Sequence, residues 1–151
     1  MKTQSIAALT FLVLLGGSIS ASDASAQERR YVGARSASDS AALPFSGGVL
    51  VGNTLYLSGD LGLENGQVPA TPEAEATLVL NNIKATIEEA GMTMDDLVFV
   101  QVFCSDVQHY AAFNSVYRTY FTKEFPARAF IGAGTLLFGA RFEVQGIAVK
   151  R

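Results

Sequence analysis

Two charged side chains stand in otherwise apolar segments in the second half of this chain. Arg128 follows Pro126-Ala127 and precedes the uncharged residues 129–133, and Glu143 lies between two apolar residues of a later segment. A guanidinium binds a carboxylate through paired hydrogen bonds, each contributing roughly 1.5 to 3 kcal/mol. Arg128 is therefore a candidate carboxylate-binding residue. An ion pair between Arg128 and Glu143, or a surface arginine after a proline turn, remain alternatives that the pattern leaves open.

The remaining residues give little support for metal, cofactor or nucleophile chemistry. The sequence contains no HExxH, CxxC, GxSxG or glycine-rich phosphate-binding motif. His109 is the only histidine and Cys104 the only cysteine, so the carboxylates lack the imidazole and thiolate partners of a transition-metal site. We predict that His109 caps a helix or faces solvent, and that Cys104 is a small core residue. No metal and no cofactor are expected.

The composition disfavours nucleic acid as a partner. The chain has 11 basic and 14 acidic residues, a net charge of -3 and a pI near 5.1. Proteins that bind nucleic acids cluster Lys and Arg to neutralise phosphates, and this sequence has no such cluster. The single cysteine also excludes an internal disulfide, so stability must come from packing or assembly.

The first residues have the three parts of a secretory leader. Lys2 supplies a positive charge, residues 6–15 are apolar apart from one threonine, and Ala24-Ser25-Ala26 matches a small-residue cleavage site. The apolar stretch is shorter than the roughly 20 residues that span a bilayer. We expect residues 1–26 to be a removable signal peptide and residues 27–151 to form one domain. The predicted location is periplasmic or secreted, with no membrane attachment after cleavage.

Short apolar segments predict the strands of this domain. The pair Gly52-Asn53 separates two apolar runs and suits the two-residue turn of a hairpin. Three further segments resemble strands in their length, their β-branched residues or their alternation. The predicted strands cover residues 49–51, 55–57, 97–104, 129–133 and 141–149.

Two helices are predicted between these strands. Thr71 can cap the first helix, Pro72 suits its first position, and Gly91 ends it. Its apolar face has spacings of three and four and comprises Ala76, Leu80, Ile83, Ile87 and Ala90. The second helix is expected over about residues 109–121. Its predicted inner stripe contains Ala112, Val116 and Tyr120, with Phe113 and Tyr117 as further candidates.

The order of these elements is a hairpin, a helix, a strand, a helix and two strands, which predicts an α+β fold. Two helices are too few to cover both faces of the sheet, so we place them on one face. The other face would need to be buried by another copy of the chain or by a partner. Self-assembly is therefore predicted.

Six segments of the chain together carry a family resemblance. They are residues 52–59, 80–84, 88–91, 113–117, 125–128 and 142–144. In order and spacing they resemble the Rid (YjgF/RidA) family, over about residues 42–151. The resemblance implies a single chorismate-mutase-like α+β domain, with a mixed sheet and two helices on one face. It also implies a homotrimer with ligand clefts between subunits.

The resemblance also implies an activity, the hydrolysis of 2-imino or 2-enamino acids to 2-oxo acids and ammonia. Arg128 matches the arginine that holds the substrate carboxylate, and Glu143 matches a glutamate that positions the attacking water. Gly59 matches a small residue whose backbone approaches the ligand. Asn114 matches a polar residue of the cleft, and a helix-surface amide or helix cap is the alternative. An imine carbon is already electrophilic, so orientation and a carboxylate clamp can act without metal or nucleophile.

Several positions depart from the family pattern at the implied site. Phe45 stands where a tyrosine is frequent, so it keeps the substrate-lining ring without its hydroxyl. Phe130 replaces a small side chain and would narrow the cleft. Asp60 replaces a glutamine and adds negative charge, which would weaken carboxylate binding. The loop of residues 134–140 also lacks the usual Leu-Pro pair. Substrate range and activity depend on these differences.

Two functions are compatible with these residues. One is enzymatic deamination of 2-imino or 2-enamino acids. The alternative is a non-catalytic periplasmic protein that binds a small carboxylate or metabolite in the same cleft, which Phe45 and Phe130 would suit. Ribonuclease activity, a label that the family has carried, is disfavoured by the acidic composition and the single histidine.

Overall fold

The computed structural model describes residues 27–33 and 44–151, which form a six-stranded sheet and two helices. The predicted signal peptide, residues 1–26, lies outside the described residues. The strands are β1 (Arg29–Val32), β2 (Gly48–Val51), β3 (Thr54–Leu61), β4 (Leu97–Cys104), β5 (Ala127–Gly132) and β6 (Phe142–Val149). The helices are α1 (Pro72–Glu89) and α2 (Tyr110–Tyr117). The predicted α+β fold is confirmed.

The sheet has the spatial order β1-β2-β3-β6-β4-β5. Its neighbouring strands are antiparallel except for β4 and β5, which are parallel. Parallel neighbours need a crossover connection, and α2 lies in the segment that joins these two strands. The sheet is therefore mixed, and β6 separates β3 from β4.

The predicted hairpin consists of β2 and β3. Its turn is Gly52-Asn53, where Gly52 adopts a φ of 60° that residues with a Cβ rarely take. β3 continues beyond the predicted strand. Its register against β6 shifts between Leu57 and Asp60, so Ser58-Gly59 forms a bulge. The bulge lies directly beside the segment of β6 that carries Glu143.

Helix α1 begins and ends at the predicted signals. The Thr71 side chain accepts a hydrogen bond from the main-chain N–H of Ala74 at 3.2 Å, and Pro72 is the first helical residue. Beyond the last turn, Gly91 has a φ of 76°. The predicted apolar face is buried against the sheet. Among the residues that the structure describes, neither α1 nor the shorter α2 has the length and apolar character of a membrane-spanning helix.

The two faces of the sheet have different surroundings. Alternate residues of the central strands, such as Val102 and Val144, are buried with Phe113 of α2. Their neighbours along each strand point to the opposite face, where Tyr31 and Tyr56 are more than half exposed. No helix of the described part of the chain covers this open face. This open face, with its exposed rings, is the surface that we predict to be buried by self-assembly.

Two elements differ from the predictions. β1 is absent from the predicted strands because its four residues include two adjacent arginines and lack a clear alternation. Only pairing with β2 makes it a strand. Helix α2 ends at Tyr117, where the chain tightens into a 3-10 turn over Arg118–Tyr120. Phe113 and Tyr117 are the buried residues of α2, whereas the expected inner stripe is half-buried.

Candidate ligand-binding site

Arg128 lies in a concave site of about 290 Å³ between α2 and the start of β5. Its side chain is on the helix-covered face of the sheet, because Arg128 pairs with the buried Val100 of β4. The lining residues are Tyr110, Asn114, Tyr117, Arg118, Phe125, Pro126 and Arg128. We call this site the arginine cavity.

Aromatic rings surround the Arg128 guanidinium. Its Cζ lies 4.5 Å from the centre of the Tyr117 ring and between 5.9 and 6.0 Å from three other rings. Those rings belong to Tyr110, Phe113 and Phe130. Each contact of a cation with a ring face contributes ~0.5 to 2 kcal/mol. The rings also reduce access of water, so the guanidinium attracts an anion more strongly than it would in bulk solvent.

The Arg128 side chain has a neutral hydrogen-bond partner. Its Nη2 donates to Oδ1 of Asn114 on α2 at 2.7 Å, so the structure brings these two candidate residues together. The ion pairs found among the described residues lie elsewhere, and none involves Arg128. The guanidinium charge is therefore not neutralised by a carboxylate of the described chain. It is available to an anionic ligand.

Tyr117 supplies the nearest ring to Arg128. The side chain is 5% exposed, and its hydroxyl is buried without a hydrogen-bond partner in the described part of the chain. Burial raises the pKa of Tyr117 to about 12, and the Arg128 charge opposes this increase. The hydroxyl therefore stays protonated at neutral pH, and its contribution to the site is the ring face.

Glu143 lies in a second concave site, of about 640 Å³, on the open face of the sheet. The lining residues are Phe45, Ser58, Gly59, Asp60, Leu61, Leu63, Leu137, Phe138, Glu143 and Gln145. We call this site the glutamate cavity. Phe45, Leu137 and Phe138 are more than half exposed. The candidate residue Phe45 thus lies with Glu143 and not with Arg128.

Gly59 fits closely against the Glu143 carboxylate. A Cβ added to Gly59 would overlap with Oε1 of Glu143, so the glycine leaves the space that this carboxylate occupies. The bulge at Ser58-Gly59 places the glycine there. The structure therefore brings Gly59 and Glu143 together.

A buried ion pair holds the start of β6 beside Glu143. The Glu75 carboxylate of α1 is fully buried, and its Oε2 lies 2.8 Å from Nη1 of Arg141. Its Oε1 accepts a hydrogen bond from the main-chain N–H of Phe142 at 3.0 Å. Arg141 also donates to the main-chain oxygen of Pro69 at 2.9 Å. These bonds connect α1 to β6 and so determine where β6 places Glu143.

Arg128 and Glu143 lie on opposite faces of the sheet. On β4, Arg128 pairs with Val100 and Glu143 pairs with Phe103. Residues three positions apart along a regular strand point to opposite faces. The two cavities share no lining residue. The alternative of an ion pair between Arg128 and Glu143 is therefore wrong for the described chain.

Asp60 lines the glutamate cavity, but its carboxylate is directed toward α1. Its Oδ1 accepts a hydrogen bond from Nδ2 of Asn82 on α1 at 3.0 Å, and it pairs with the inward-facing Val144 of β6. Burial raises the pKa of Asp60, with the Asn82 bond acting in the opposite direction. Asp60 therefore weakens carboxylate binding less than its position in the sequence suggests.

Phe130 does not line either cavity. Its ring packs edge-to-face on Tyr110, with ring centres 5.0 Å apart, and on Phe113 at 5.7 Å. Within one chain the ring therefore does not line the space that a ligand of either cavity would occupy, and the narrowing of a cleft between copies stays a prediction. Phe130 instead supports the rings around Arg128.

His109 and Cys104 have no place in either cavity. Cys104 is fully buried, its Sγ donates to the main-chain oxygen of Asp106 at 2.9 Å, and burial raises the pKa of the thiol. This agrees with a small core residue. His109 precedes α2 without a side-chain capping bond and packs edge-to-face on Phe142. His109 is the N-cap residue of α2, which is one of the two predicted positions, and its ring is half-buried in this contact.

Five residues of the arginine cavity are absent from the predicted site: Tyr110, Tyr117, Arg118, Phe125 and Pro126. Helical periodicity provides a signal for the first three, because positions 110, 114, 117 and 118 fall on one face of a helix. In the glutamate cavity, Leu137 and Phe138 have no comparable signal. They lie in an irregular turn where Phe138 adopts a φ of 58°.

The chain has an α+β fold with a mixed sheet, and Arg128 lies in a cavity lined by aromatic rings without a carboxylate partner among the described residues. Such a site suits a small anionic ligand. Residues 36–150 match the family model described as Endoribonuclease L-PSP. The chain belongs to that family, which is also the Rid (YjgF/RidA) family of small-molecule-processing proteins.

Three relatives illustrate the similarity. A 2-iminobutanoate/2-iminopropanoate deaminase of Dermatophagoides farinae is 38% identical over 109 residues, which cover 70% of this chain and 85% of the relative. The YjgF gene product of Escherichia coli has a TM-score of 0.68 at 35% identity, covering 72% of this chain and 89% of the relative. Escherichia coli TdcF with bound serine has a TM-score of 0.69 at 29% identity, covering 74% and 91%. The predicted family and fold are confirmed.

Proposed function

We propose that this protein hydrolyses 2-imino or 2-enamino acids to 2-oxo acids and ammonia. The observation that carries the proposal is the state of Arg128: a cation among aromatic rings, with a neutral side-chain partner and no carboxylate. Such a group is suited to bind the α-carboxylate of the substrate through paired hydrogen bonds.

Glu143 would orient the attacking water. Its carboxylate accepts a hydrogen bond from the water, whose oxygen forms a bond to C2 of the imino acid. As that bond forms, the π electrons of the C2–N double bond move to the nitrogen, which takes one proton of the water through Glu143. In the resulting carbinolamine the hydroxyl proton passes to the nitrogen, and ammonia leaves as the C2–N bond breaks and a C2–O double bond forms. The products are a 2-oxo acid and ammonia. Orientation is the main requirement, because C2 of an imine is already electrophilic.

A single chain does not bring Arg128 and Glu143 to one ligand, because they lie on opposite faces of the sheet. We therefore propose that the site is a cleft between copies in a homotrimer. One copy supplies Arg128 and Asn114, and its neighbour supplies Glu143, Gly59 and Phe45. The open sheet face, with Tyr31 and Tyr56 exposed, supports burial of this kind.

The relatives support the substrate class. The Dermatophagoides farinae relative is named for deamination of 2-iminobutanoate and 2-iminopropanoate, and the TdcF structure holds serine. Both groups of molecules carry an α-carboxylate next to a carbon that bears nitrogen. That is the arrangement for which Arg128 and Glu143 are proposed.

Removal of the carboxylate clamp tests the enzymatic proposal. 2-Iminobutanoate is generated in situ with an amino-acid oxidase, and ammonia release is measured with wild type, Arg128→Ala and buffer. We expect Arg128→Ala to lower kcat/KM by at least about a hundredfold, because two charge-assisted hydrogen bonds of about 1.5 kcal/mol or more each are lost. Lys84→Ala, on the outer face of α1, is the matched loss of a positive charge and should retain full activity.

Equal rates for wild type, Arg128→Ala and buffer would rule out the deaminase. In that case 2-oxobutanoate is tested as a ligand by thermal unfolding. Stabilisation of wild type but not of Arg128→Ala would establish the alternative, a carboxylate-binding protein without turnover.

Subunit mixing tests whether the site lies between copies. Arg128→Ala and Glu143→Gln chains are each expected to have only a low residual activity alone. Refolded together, about a quarter of the clefts would combine an intact Arg128 with an intact Glu143 if assembly is random. Recovered activity near that fraction supports the intersubunit cleft, and activity that stays at the residual level in a verified mixed assembly contradicts it.

We also propose that the protein is exported, on the strength of the leader-like residues 1–26. Fractionation of the native host followed by N-terminal sequencing is the test. The expected result is a chain outside the cytoplasm that begins at Gln27. A cytoplasmic chain that retains Lys2 would contradict the proposal.

A further inference from the structure

The arginine cavity contains a second cation that the proposed mechanism does not use. Arg118, at the end of α2, lines the same concave site of about 290 Å³ as Arg128. We infer that this site selects substrates with a second carboxylate, which Arg118 binds while Arg128 holds the α-carboxylate. The inference rests on the proposed deaminase function and names its substrate class, dicarboxylic 2-imino acids.

Asn114 connects the two arginines. Its side-chain Oδ1 accepts a hydrogen bond from Nη2 of Arg128 at 2.7 Å, and its main-chain oxygen accepts one from Nε of Arg118 at 3.2 Å. Both guanidiniums are therefore fixed relative to one residue of α2. The bond from Arg118 uses Nε, which leaves its two Nη groups for a ligand carboxylate.

The C-terminal end of a helix attracts cations, and this explains the position of Arg118. The partial negative charge of the helix end does not neutralise the Arg118 guanidinium. The ion pairs among the described residues involve neither Arg118 nor Arg128, and the lining of the arginine cavity contains no acidic residue. The two positive charges thus lie together in a chain whose net charge is -3.

One carboxylate has two oxygens and is fully engaged by one guanidinium. A monocarboxylic substrate bound to Arg128 would therefore leave Arg118 without an anionic partner. In the proposed assembly, the neighbouring copy contributes Glu143, but that carboxylate holds the attacking water. A second carboxylate on the substrate is the group that completes the charge balance at Arg118.

The rest of the cavity suits the carbon chain between two carboxylates. Tyr110, Tyr117, Phe125 and Pro126 present ring surfaces that can pack on methylene groups. Arg118 is exposed, whereas Arg128 is half-buried. The distal carboxylate would therefore lie toward solvent and the α-carboxylate deeper in the site, which fixes the direction in which the substrate binds.

The substrate preference is tested by comparing kcat/KM for two probes. 2-Iminoglutarate is generated from L-glutamate, and 2-iminobutanoate from L-2-aminobutanoate, with the matching oxidases. We expect wild type to have a kcat/KM for 2-iminoglutarate about tenfold above that for 2-iminobutanoate, a ratio typical of one exposed charge-assisted contact. In Arg118→Gln this ratio should fall to about one, mainly through KM for 2-iminoglutarate. Arg118→Lys should recover part of it, and Lys84→Ala should leave it unchanged.

The outcomes separate this inference from the deaminase proposal. If wild type hydrolyses both probes equally, or if Arg118→Gln leaves the ratio unchanged, the dicarboxylate preference is refuted while the deaminase stands. If neither probe is hydrolysed, the deaminase fails, and calorimetric titration with 2-oxoglutarate and 2-oxobutanoate decides the preference. Tighter binding of 2-oxoglutarate that Arg118→Gln abolishes supports the second carboxylate site. Equal affinities in wild type refute it.

Discussion

The arginine cavity and the glutamate cavity are held in shape by different forces. In the first, a guanidinium lies among aromatic side chains and bonds to the neutral amide of Asn114. In the second, the geometry depends on the main-chain bulge at Gly59 and on the ion pair between the side chains of Glu75 and Arg141. Side-chain packing tolerates substitutions that conserve volume, whereas breaking a buried ion pair is costly. The comparison therefore predicts a tolerant arginine cavity and a sensitive glutamate cavity.

The largest expected effect is the loss of the buried ion pair at the start of β6. Glu75→Gln leaves Arg141 without its carboxylate partner in a site where Glu75 is fully buried. Breaking such a pair lowers the free energy of unfolding by about 3 kcal/mol. Urea unfolding of wild type and Glu75→Gln measures this loss.

The pair between Lys84 and Glu88 is the matched control. Its atoms are 3.7 Å apart, and both side chains are about half exposed on α1. Glu88→Gln should lower the free energy of unfolding by less than about 0.5 kcal/mol. Similar losses of stability in Glu75→Gln and Glu88→Gln would mean that the buried pair contributes no more than the exposed pair, which contradicts the prediction.

A smaller effect on folding, but a large one on activity, is expected for Gly59→Ala. The added Cβ would displace the flexible end of Glu143, so stability should change by less than about 1 kcal/mol. A displacement of about 1 Å in a positioned group costs on the order of a hundredfold in rate. Deaminase kinetics and thermal unfolding of the same sample test both expectations.

A double-mutant cycle shows whether Gly59 acts through Glu143. In a Glu143→Ala background the overlapping carboxylate is absent, so Gly59→Ala should cause little further loss of activity. The full hundredfold loss in that background would mean that Gly59 acts through other contacts.

The smallest effect on activity is expected for Tyr117 in the arginine cavity. Tyr117→Phe keeps the ring beside Arg128 and removes a hydroxyl that is buried without a partner among the described residues. Removing an unsatisfied buried group should raise the free energy of unfolding by about 1 kcal/mol. Activity should change less than twofold, because the ring face is retained. A loss of stability would indicate that the hydroxyl has a partner in the assembly.

The stability of Tyr117→Phe relative to wild type should depend on pH, because the Tyr117 hydroxyl is buried. In the unfolded chain the phenol ionises near its usual pKa of 10, whereas burial raises the folded pKa of Tyr117 to about 12. Between these values the unfolded chain has lost a proton that the folded chain retains, so wild type loses stability as pH rises. Tyr117→Phe lacks this component. Urea unfolding at about pH 8 and about pH 11 should therefore show a larger advantage for Tyr117→Phe at the higher pH.

Most of the fold was accessible from local patterns in the sequence. The helix from Pro72 has a capping residue, an apolar face and a terminating glycine, and each of these acts within a few residues. The strand Leu97–Cys104 matches its predicted bounds. β1 was not accessible, because its four residues become a strand only through pairing with β2, and that pairing depends on distant residues.

The sequence indicated the orientation of Glu143 in the sheet but not that of Arg128. Phe142 and Val144 flank Glu143, and their alternation indicates that the glutamate points away from the core. The segment after Arg128 has no alternating pattern, so its orientation depends on the parallel register with β4. The sequence therefore identifies both residues as candidates but does not indicate that one chain holds them on opposite faces.

The position of β6 has a consequence for the order in which the protein folds. β6 lies between β3 and β4 in the sheet, although it follows both of them along the chain. On a growing chain, β1, β2 and β3 form one group of strands and β4 and β5 another, with no strand in common until residues 142–149 are added. Such long-range pairing delays folding. The nascent chain is therefore expected to remain unfolded, and accessible to chaperones or a translocation channel, until β6 has left the ribosome.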